Sequence, residues 1–307
     1  MQYISMIDLL GIGTPVMDIY YQVHSSSLKK YGLKRGCTNH LNDQKVTQIQ
    51  KDLEPIYEYP GDNARNVCEA FVKSDGKNCA YSGNIAEDET GKKISANLQK
   101  NAIKDYMQKI DGNTGRIICL IDEDKQRTFA VYLGVGEKHL ELSAIDFPKI
   151  LFCTNITFFH SSAGKDALEF AIKCKKLGTK IAVSLESENL IKEKLEDINK
   201  LSQIIDYLFL NEDEMRAINK NEQDVGEFAP IVFLKRGKNG ANVYDNKKLV
   251  AHVPANKVDK VVDTTGAGDF FAGACLNAIL NGKSIVESAR AGNDMAGRII
   301  SRIGVGI

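Results

Sequence analysis

VVDTTGAGDFFAGA, residues 261–274, joins an apolar segment to a glycine-rich turn and then to a run of small and apolar residues. The last part is typical of a helix, so the sequence predicts that Gly266, Ala267 and Gly268 lie at a helix N-terminus. Glycine lets a ligand approach the main chain closely, and the free amides of a helix N-terminus bind anions such as phosphate. The segment therefore predicts a phosphate-binding turn.

Asp269 follows directly in this turn, although a carboxylate repels a phosphate. One explanation is structural, since a negative charge stabilises the first turn of a helix. The other is chemical: the carboxylate could accept the proton of a hydroxyl that attacks the phosphate, which would make Asp269 the general base of a phosphoryl transfer. The spacing alone leaves both explanations open.

The composition argues against several classes of function. The 307 residues carry 40 basic and 40 acidic side chains, so there is no electrostatic basis for binding nucleic acid or an anionic membrane. Residues 1–13 lack a basic leader and are predicted to form a first strand rather than a signal peptide. The seven cysteines show no CxxC pair, which favours free thiols in a reducing compartment over disulfides or zinc. We expect a cytoplasmic protein with small-molecule partners.

Strand-like and helix-like segments alternate from about residue 150 onward. The strand-like segments are 150–159 (ILFCTNITFF), 180–185 (KIAVSL), 205–210 (IDYLFL) and 231–237 (IVFLKRG). Residues 163–178 have apolar residues at helical spacing and a closing glycine, Gly178. A short helix is predicted from Glu212. This order predicts a parallel sheet with helices on both faces.

Two regions interrupt this alternation. Residues 15–60 contain the strand-like segments VMDIYYQV and EPIYEYP, separated by a polar, Lys-rich stretch. Residues 112–138 are predicted to form a hairpin, in which RIICLID and RTFAVYLGV flank the turn EDKQ. The two regions together predict a small separate sheet that covers the α/β core as a lid.

Several segments, taken in order, resemble the ribokinase-like (PfkB) family of sugar and nucleoside kinases. DTTGAGDFFAGA resembles the family's second signature, and the other segments are LLGIGTPVMDI (9–19), PGDNARNV (60–67), SGNIAEDETGKKI (82–94), NEDE (211–214), LKRGKNGANVY (234–244) and ARAGNDMAGRIISRIG (289–304). GIGTPVMDI, KYGL (30–33) and the last segment are most similar to the adenosine kinase branch. The resemblance implies an α/β fold: a ribokinase-like α/β/α sandwich with a mainly parallel central sheet and a small β-sheet lid, in one kinase domain over residues 1–307.

The family's activity implies transfer of the γ-phosphoryl group of ATP, with Mg²⁺, to a primary hydroxyl of a nucleoside or sugar. It also implies roles for individual residues. The residues implied in catalysis are Asp269 as base, and Gly266, Ala267, Gly268 and Arg127 on the phosphates. Those implied in substrate binding are Asp18, Gly61, Asp62 and Asn66. Those implied in nucleotide binding are Asn211, Glu214, Lys235, Gly237, Thr265 and Asn293, with Glu214 holding Mg²⁺ through water and Asp263 marking an optional site for a monovalent cation such as K⁺.

Structural alternatives remain open for some of these residues. Asn211 and Glu214 also suit an ordinary helix start, in which Asn is the N-cap and Glu the third helical residue. Asp18 also suits a strand-end turn, and Arg127 also suits the solvated surface of a hairpin. For these positions the sequence alone does not separate a structural from a functional role.

The acceptor also remains open. Asp62 stands where a second glycine is usual, and Thr14 and Thr265 stand where adenosine kinases usually carry Asn. An adenosine-like nucleoside is the favoured acceptor, and the alternative is a sugar kinase for ribose, fructose or a related furanose. A third reading is a homologue that senses a nucleotide or sugar without turnover. Both a monomer and a homodimer are compatible with the sequence.

Overall fold

The structure is a computed structural model that describes residues 6–301. Residues 1–5 and 302–307 are not described. The start of the predicted first strand and the end of the segment 289–304 therefore lie outside the described residues.

Strands and helices alternate over most of the described chain. The strands are β1 (Leu9–Ile12), β2 (Val16–Gln22), β3 (Thr38–His40), β4 (Tyr57–Pro60), β5 (Cys79–Ser82), β6 (Asn84–Ile85), β7 (Lys104–Asp105), β8 (Gln108–Lys109), β9 (Thr114–Ile121), β10 (Arg127–Gly134), β11 (Ile150–Thr154), β12 (Lys180–Ser184), β13 (Tyr207–Asn211), β14 (Ile231–Lys235), β15 (Ala241–Asp245) and β16 (Lys248–Val253). The helices are α1 (Asp43–Asp52), α2 (Asn63–Lys73), α3 (Glu89–Lys100), α4 (Asn155–Phe159), α5 (Ser162–Lys176), α6 (Glu188–Glu193), α7 (Leu195–Leu201), α8 (Glu212–Ala217), α9 (Ala267–Leu280) and α10 (Ile285–Ile299).

The large sheet has nine strands within residues 6–301, in the order β16-β15-β14-β13-β12-β11-β1-β5-β7. The seven strands from β14 to β7 pair in parallel, whereas the pairings of β15 with β14 and with β16 are antiparallel. The predicted mainly parallel central sheet is therefore confirmed.

Both faces of the large sheet are buried. Along its strands, alternate side chains enter opposite cores: Leu9 and Phe152 pack toward α2, α9 and α10, whereas Leu10 and Leu151 pack toward α4 to α8. Successive side chains of a strand point to opposite faces, so apolar strands of this kind need helices on both sides. The result is the α/β/α sandwich that the sequence predicted.

A second, smaller sheet has the strand order β3-β10-β9-β2-β4 in the described part of the chain. Strands β9 and β10 form the predicted antiparallel hairpin, and β2 and β4 pair on its other side. Its own apolar core includes Met17, Ile19, Ile118 and Leu120, which pack with Val46 of α1. A small second sheet is thus confirmed, and its strands fall inside the two regions predicted to form a lid.

One predicted strand is too long. The segment ILFCTNITFF is a strand only as far as Thr154, and the remaining NITFF forms α4. The Thr154 hydroxyl accepts a hydrogen bond from the Thr157 amide at 3.1 Å, so it caps the helix. The apolar and β-branched residues of NITFF are typical of a strand, but the segment forms a helix that begins at the Thr154 cap.

Two simple predictions from composition can be compared with the structure. All seven cysteines are free thiols, and six of them are buried, as the absence of a CxxC pair predicted. Among residues 6–301, no helix has both the length and the apolar character required to cross a bilayer.

Helices α2 and α9 run side by side in close contact. A Cβ added at Gly273 of α9 would lie 2.3 Å from the Val67 carbonyl oxygen and 2.6 Å from the Ala70 Cβ of α2. Four residues further on, Asn277 donates to the carbonyl of Ser74. The missing side chain at Gly273 is therefore what allows the two helices to approach this closely.

Gly273→Ala should destabilise the protein, because the added methyl group must push α2 and α9 apart. We expect a loss of about 1–3 kcal/mol in the free energy of unfolding, the usual range for overpacking. Urea unfolding followed by circular dichroism measures it.

Gly297→Ala is the matched control for this change. It also lies in a helix, but its added Cβ would meet only Val258 Cγ2, at an ordinary 3.5 Å. Because alanine is the better helix former, this variant should be neutral or slightly stabilised. Equal stability of the two variants would contradict the proposed contact.

Candidate active site

The glycine-rich turn leads into α9 as the sequence predicted. Gly266 has a φ of +74°, in the left-handed region that favours glycine, and the helix begins at Ala267. The Ala267 amide donates to the carbonyl of Thr264 at 3.2 Å, so it is not free for a ligand. The amide of Gly268 also lies in the first turn of the helix, where N–H groups lack intrahelical partners. It therefore remains a candidate for binding phosphate.

Lys235 brings a positive charge to this helix start. It is the last residue of β14, and its Nζ would lie 2.9 Å from a Cβ added at Gly268. A side chain at position 268 would therefore displace the ammonium group. The lysine and the positive end of the α9 dipole make this point favourable for an anion.

A cavity of about 600 Å³ adjoins the helix start. Its apolar wall includes Val258, Val261, Ala267, Phe271, Ala296 and Ile300. Its polar lining includes Asn211, Lys235, Asn256 and Asn293, and Gly237, Gly240 and Gly268 also line it. The volume is typical of a small-molecule site. Four residues predicted to bind nucleotide, Asn211, Lys235, Gly237 and Asn293, therefore lie together. Asn293 also donates to the carbonyls of Val253 and Pro254, at 3.1 and 3.0 Å.

Asp269 and Asn66, which are 203 residues apart in sequence, are in direct contact. The Asn66 Nδ2 donates to the Asp269 Oδ2 at 2.9 Å. Asp269 is only 8% exposed, and burial raises its pKa to about 7, against the opposing effects of the Asn66 hydrogen bond and the Lys235 charge. A carboxylate with a pKa near neutrality can take up a proton at physiological pH, which suits a general base.

Asp18 faces the same region from the small sheet. It lies on β2, and a Cβ added at Gly61 would lie 2.6 Å from its Oδ2, so Gly61 leaves room for the carboxylate. Burial raises the pKa of Asp18 to about 7, although the charge of Arg65 lowers it. Within residues 6–301 no hydrogen-bond or ion-pair partner satisfies the Asp18 carboxylate, which leaves it available to a bound hydroxyl.

Asp62 is engaged by the chain itself. Its carboxylate accepts hydrogen bonds from the amide of Thr14 at 3.2 Å, the amide of Arg65 at 3.1 Å and the hydroxyl of Tyr81 at 2.8 Å. Its φ of +83° explains why glycine suits this position. The structure therefore gives Asp62 the task of shaping the turn before α2, and its predicted contact with substrate stays a prediction.

Asn211 and Glu214 form the helix start that was the structural alternative. The Asn211 side chain accepts from the Glu214 amide at 2.8 Å, and the Glu214 Oε2 accepts from the Asn211 amide at 2.7 Å. Burial raises the pKa of Glu214, and the charge of Lys235 opposes that rise. The cap uses one Glu214 oxygen, so the second can still contact a hydrated cation. Among the described residues no group of three or more His, Cys, Asp or Glu side chains is arranged to hold a metal.

Arg127 connects the small sheet to the glycine-rich turn. From the start of β10 its guanidinium donates to the Thr265 hydroxyl at 2.8 Å and to the Asp263 carboxylate at 3.0 Å. The Thr265 amide and hydroxyl also donate to Asp263, at 3.0 and 2.7 Å. Burial alone would raise the pKa of Asp263, but the hydrogen bonds from Thr265 and Arg127 hold it below its usual value. Arg127 thus lies beside the predicted phosphate site, and its side chain stays partly exposed to solvent.

Glu186 is a candidate that the sequence analysis missed. It follows β12, and the Asn155 side chain holds its peptide group through bonds of 2.9 and 2.7 Å. One carboxyl oxygen is buried and has no hydrogen-bond partner in the described chain. Burial and the neighbouring charge of Asp269 raise the pKa of Glu186, while Lys235 lowers it. Its position just beyond the carboxyl end of a parallel strand, where ligands bind in such sheets, was the available signal.

Similar proteins were found by sequence and by structure. An adenosine kinase from Dictyostelium discoideum is 24% identical, over 98% of this chain and 96% of its own. An uncharacterized sugar kinase from Archaeoglobus fulgidus is 27% identical, over 75% of this chain and 94% of its own. The crystal structure of adenosine kinase from Sinorhizobium meliloti superposes with a TM-score of 0.85 at 22% identity, over 99% of this chain and 96% of its own, which shows the shared fold.

The family assignment comes from a match over most of the chain. Residues 42–307 match the family described as pfkB family carbohydrate kinase. The matched part contains the GAGD turn, Asn66, Lys235 and the capping pair at the start of α8, and the ribokinase-like fold of the solved relative agrees with it. The chain therefore belongs to the pfkB family of carbohydrate kinases, phosphotransferases that act on a hydroxyl group with ATP and typically Mg²⁺.

Proposed function

We propose that this protein transfers the γ-phosphoryl group of ATP to a primary hydroxyl of an adenosine-like nucleoside. The observation that carries the proposal is the 2.9 Å contact between Asn66 and Asp269. This contact joins Asn66, which we predict to bind substrate, to a carboxylate at the start of α9. On the other side of that helix start lie Lys235 and the cavity.

The cavity fits a nucleotide. Its apolar wall, which includes Phe271 and Ile300, suits a planar base, and its other end reaches Lys235 and the Gly268 amide, which suit phosphates. When bound, ATP supplies the phosphoryl group and Mg²⁺ offsets the phosphate charge. In this proposal the second carboxyl oxygen of Glu214 holds Mg²⁺ through water.

The acceptor is held from both sheets. The Asp18 carboxylate and the Asn66 amide bind its hydroxyl groups, and the primary hydroxyl lies against Asp269. Asp269 takes the proton of that hydroxyl as its oxygen forms the new bond to phosphorus, and ADP leaves with the electrons of the broken bond. Lys235, the Gly268 amide and Arg127 stabilise the charge of the transferring group.

The relatives support a nucleoside acceptor. The Dictyostelium adenosine kinase matches 98% of this chain, whereas the uncharacterized sugar kinase matches 75%. The family match begins at residue 42 and so does not include Asp18. The match to the Dictyostelium adenosine kinase covers 98% of the chain and therefore does include Asp18 on the first strand of the small sheet. A sugar kinase for ribose, fructose or a related furanose is the second candidate, and the Archaeoglobus relative favours it.

An acceptor panel tests the substrate class. ADP release is measured with adenosine, other nucleosides, ribose and fructose at equal concentration. We expect an adenosine-like nucleoside to exceed the free sugars roughly tenfold or more in kcat/KM, because the site would use binding energy from the base. A higher rate with ribose or fructose would establish the sugar-kinase alternative. No ADP release with any acceptor would favour the non-catalytic sensing homologue.

Asp269→Asn should abolish most turnover and yet stabilise the ligand-free protein. Loss of the general base typically lowers the rate by about 10²–10⁴-fold. The folded pKa of about 7 lies above the unfolded value of 3.8, so the ionised carboxylate destabilises the folded state once the pH rises through that window. At pH 8 the variant should gain on the order of 1–3 kcal/mol in unfolding free energy, and less at pH 4.5.

Asp263→Asn is the matched comparison, with the same charge change six residues earlier. Asp263 holds Thr265 and Arg127 but does not contact Asn66, so we expect a smaller loss of turnover. Its pKa is lowered in the folded protein, so this variant should lose stability at pH 8. Near-normal turnover in folded Asp269→Asn would overturn the assignment of the base.

We also propose that the small sheet acts as a lid, formed by residues 15–60 and 112–138 of a single kinase domain. Asp18 and Arg127 give it one contact with the acceptor and one with the phosphate turn. Amide hydrogen exchange in these two regions should slow when a nucleoside and a non-hydrolysable ATP analogue are added together. The large-sheet strands serve as the internal control. Equal exchange with and without ligands would contradict lid closure.

The compartment, the monovalent cation and the oligomeric state are the remaining properties that we predict. The free thiols fit a reducing compartment, so we propose a cytoplasmic protein. A monovalent cation such as K⁺ stays a prediction; because Arg127 already engages the Asp263 carboxylate, backbone carbonyls of the turn would have to bind it. Monomer and homodimer both stay open, and mass measurement in solution distinguishes them.

A further inference from the structure

Arg65 is a fully buried arginine directly beneath the proposed site. It lies on α2 with 0% of its side chain exposed, and it pairs with the equally buried Glu69 through an Nη1–Oε2 distance of 2.6 Å. Nη1 also donates to the Asn97 side chain of α3 at 3.2 Å. Tyr59 adds a second donor to Glu69, with its hydroxyl 3.0 and 3.1 Å from the two carboxyl oxygens. Asn97 therefore holds the arginine, and Tyr59 holds the glutamate.

A buried ion pair of this kind is not explained by stability. Removing two charges from water costs free energy that their attraction often fails to recover, and apolar replacements are frequently neutral or stabilising. The Arg65 Nε is buried without a hydrogen-bond partner among the described residues, which adds to the unfavourable side. The pair therefore calls for a reason in the site above it.

That reason is the orientation of the Asn66 amide. Arg65 Nη2 donates to the Asn66 Oδ1, and the other end of the same amide, Nδ2, donates to Asp269. An amide has one accepting and one donating end, so occupation of Oδ1 by the guanidinium turns the NH₂ group toward the carboxylate. If the amide were reversed, its oxygen would face the negative charge of Asp269.

We propose that Arg65, held by Glu69, is a positioning residue that fixes the Asn66 amide and thereby the Asp269 carboxylate for proton transfer. The inference rests on the proposed role of Asp269 as base. Arg65 touches neither the acceptor nor the phosphate cavity, so it acts only through Asn66 and through its charge.

The charged groups around Asp269 determine whether its pKa rises or falls when Arg65 is replaced. Lys235 of β14 and Arg65 of α2 lower its pKa, whereas Asp62, before α2, raises it. Glu186, after β12, is the further acidic neighbour. Removing Arg65 takes away one positive charge and frees the amide, and both changes disfavour the ionised base. The pKa of Asp269 should therefore rise further.

The test compares pH–rate profiles, using the best acceptor from the panel. Arg65→Met combined with Glu69→Gln removes both buried charges, so no unpaired charge is left in the core. We expect kcat to fall about tenfold or more, and the acidic limb of the profile to move to higher pH. Nucleotide affinity, measured by calorimetry, should not change.

Two further comparisons separate positioning from loss of structure. Lys175→Met with Asp206→Asn removes the 2.6 Å pair of these two residues, and with it the 3.1 Å pair of Asp206 with Lys180, at the opposite ends of the strands. This change should leave the acidic limb in place. In an Asn66→Ala background the Arg65/Glu69 change should move the limb by less, because the hydrogen-bonded route through the amide is already absent and only the effect of charge remains.

The outcomes are distinguishable. A limb that stays in place in the folded Arg65/Glu69 variant, or a shift of full size in the Asn66→Ala background, overturns the positioning role. Absence of wild-type turnover, or full turnover of Asp269→Asn, instead overturns the proposed function. If the double variant does not fold, Arg65→Lys replaces it: lysine keeps the charge but lacks the guanidinium fork, so a smaller shift in the same direction is expected.

Discussion

The close contact between α2 and α9 at Gly273 holds the two halves of the site together. One helix follows the segment that is predicted to bind substrate (60–67), and the other follows the glycine-rich turn. Because no side chain separates them at Gly273, the two helix starts face each other and Asn66 reaches Asp269. The active-site geometry is thus set by backbone packing, before any ligand is bound.

The site concentrates negative charge that only partly finds compensation in the described protein. Burial raises the pKa values of Asp18 and Asp269 to about 7 and that of Glu186 above its usual range. Lys235 and Arg65 are the cations that offset this charge. Such an arrangement is unfavourable for the stability of the ligand-free protein, and it persists because the surrounding fold fixes it. In the proposed reaction the same feature is useful, since a base with a pKa near neutrality accepts a proton readily.

The sequence predicted local features well and distant contacts poorly. The turn at Gly266, the start of α9 at Ala267 and the short helix after Asn211 follow from residue types within a few positions. Thr154 shows the limit of this reasoning. The segment NITFF after it has the composition of a strand, but it forms a helix that the Thr154 hydroxyl caps. Glu186 lies in a Glu-rich stretch that resembles an exposed helix, and only the fold buries one of its oxygens. The contact of Arg65 with Asn97 and the link from Arg127 to Thr265 could not be predicted from a short stretch of sequence, because each joins segments that are distant in the chain.

The two sheets divide the proposed chemistry between them. The cavity, Lys235 and Asp269 all belong to the large-sheet part, which in the proposed reaction supplies the base and the lysine beside the phosphates. The small sheet supplies Asp18 to the acceptor side and Arg127 to the turn. Changes around Asp18 can thus alter which acceptor is held without moving Asp269 or Lys235. This separation gives a physical reason why one fold can serve proteins named adenosine kinase and sugar kinase, and why the acceptor is harder to infer than the reaction.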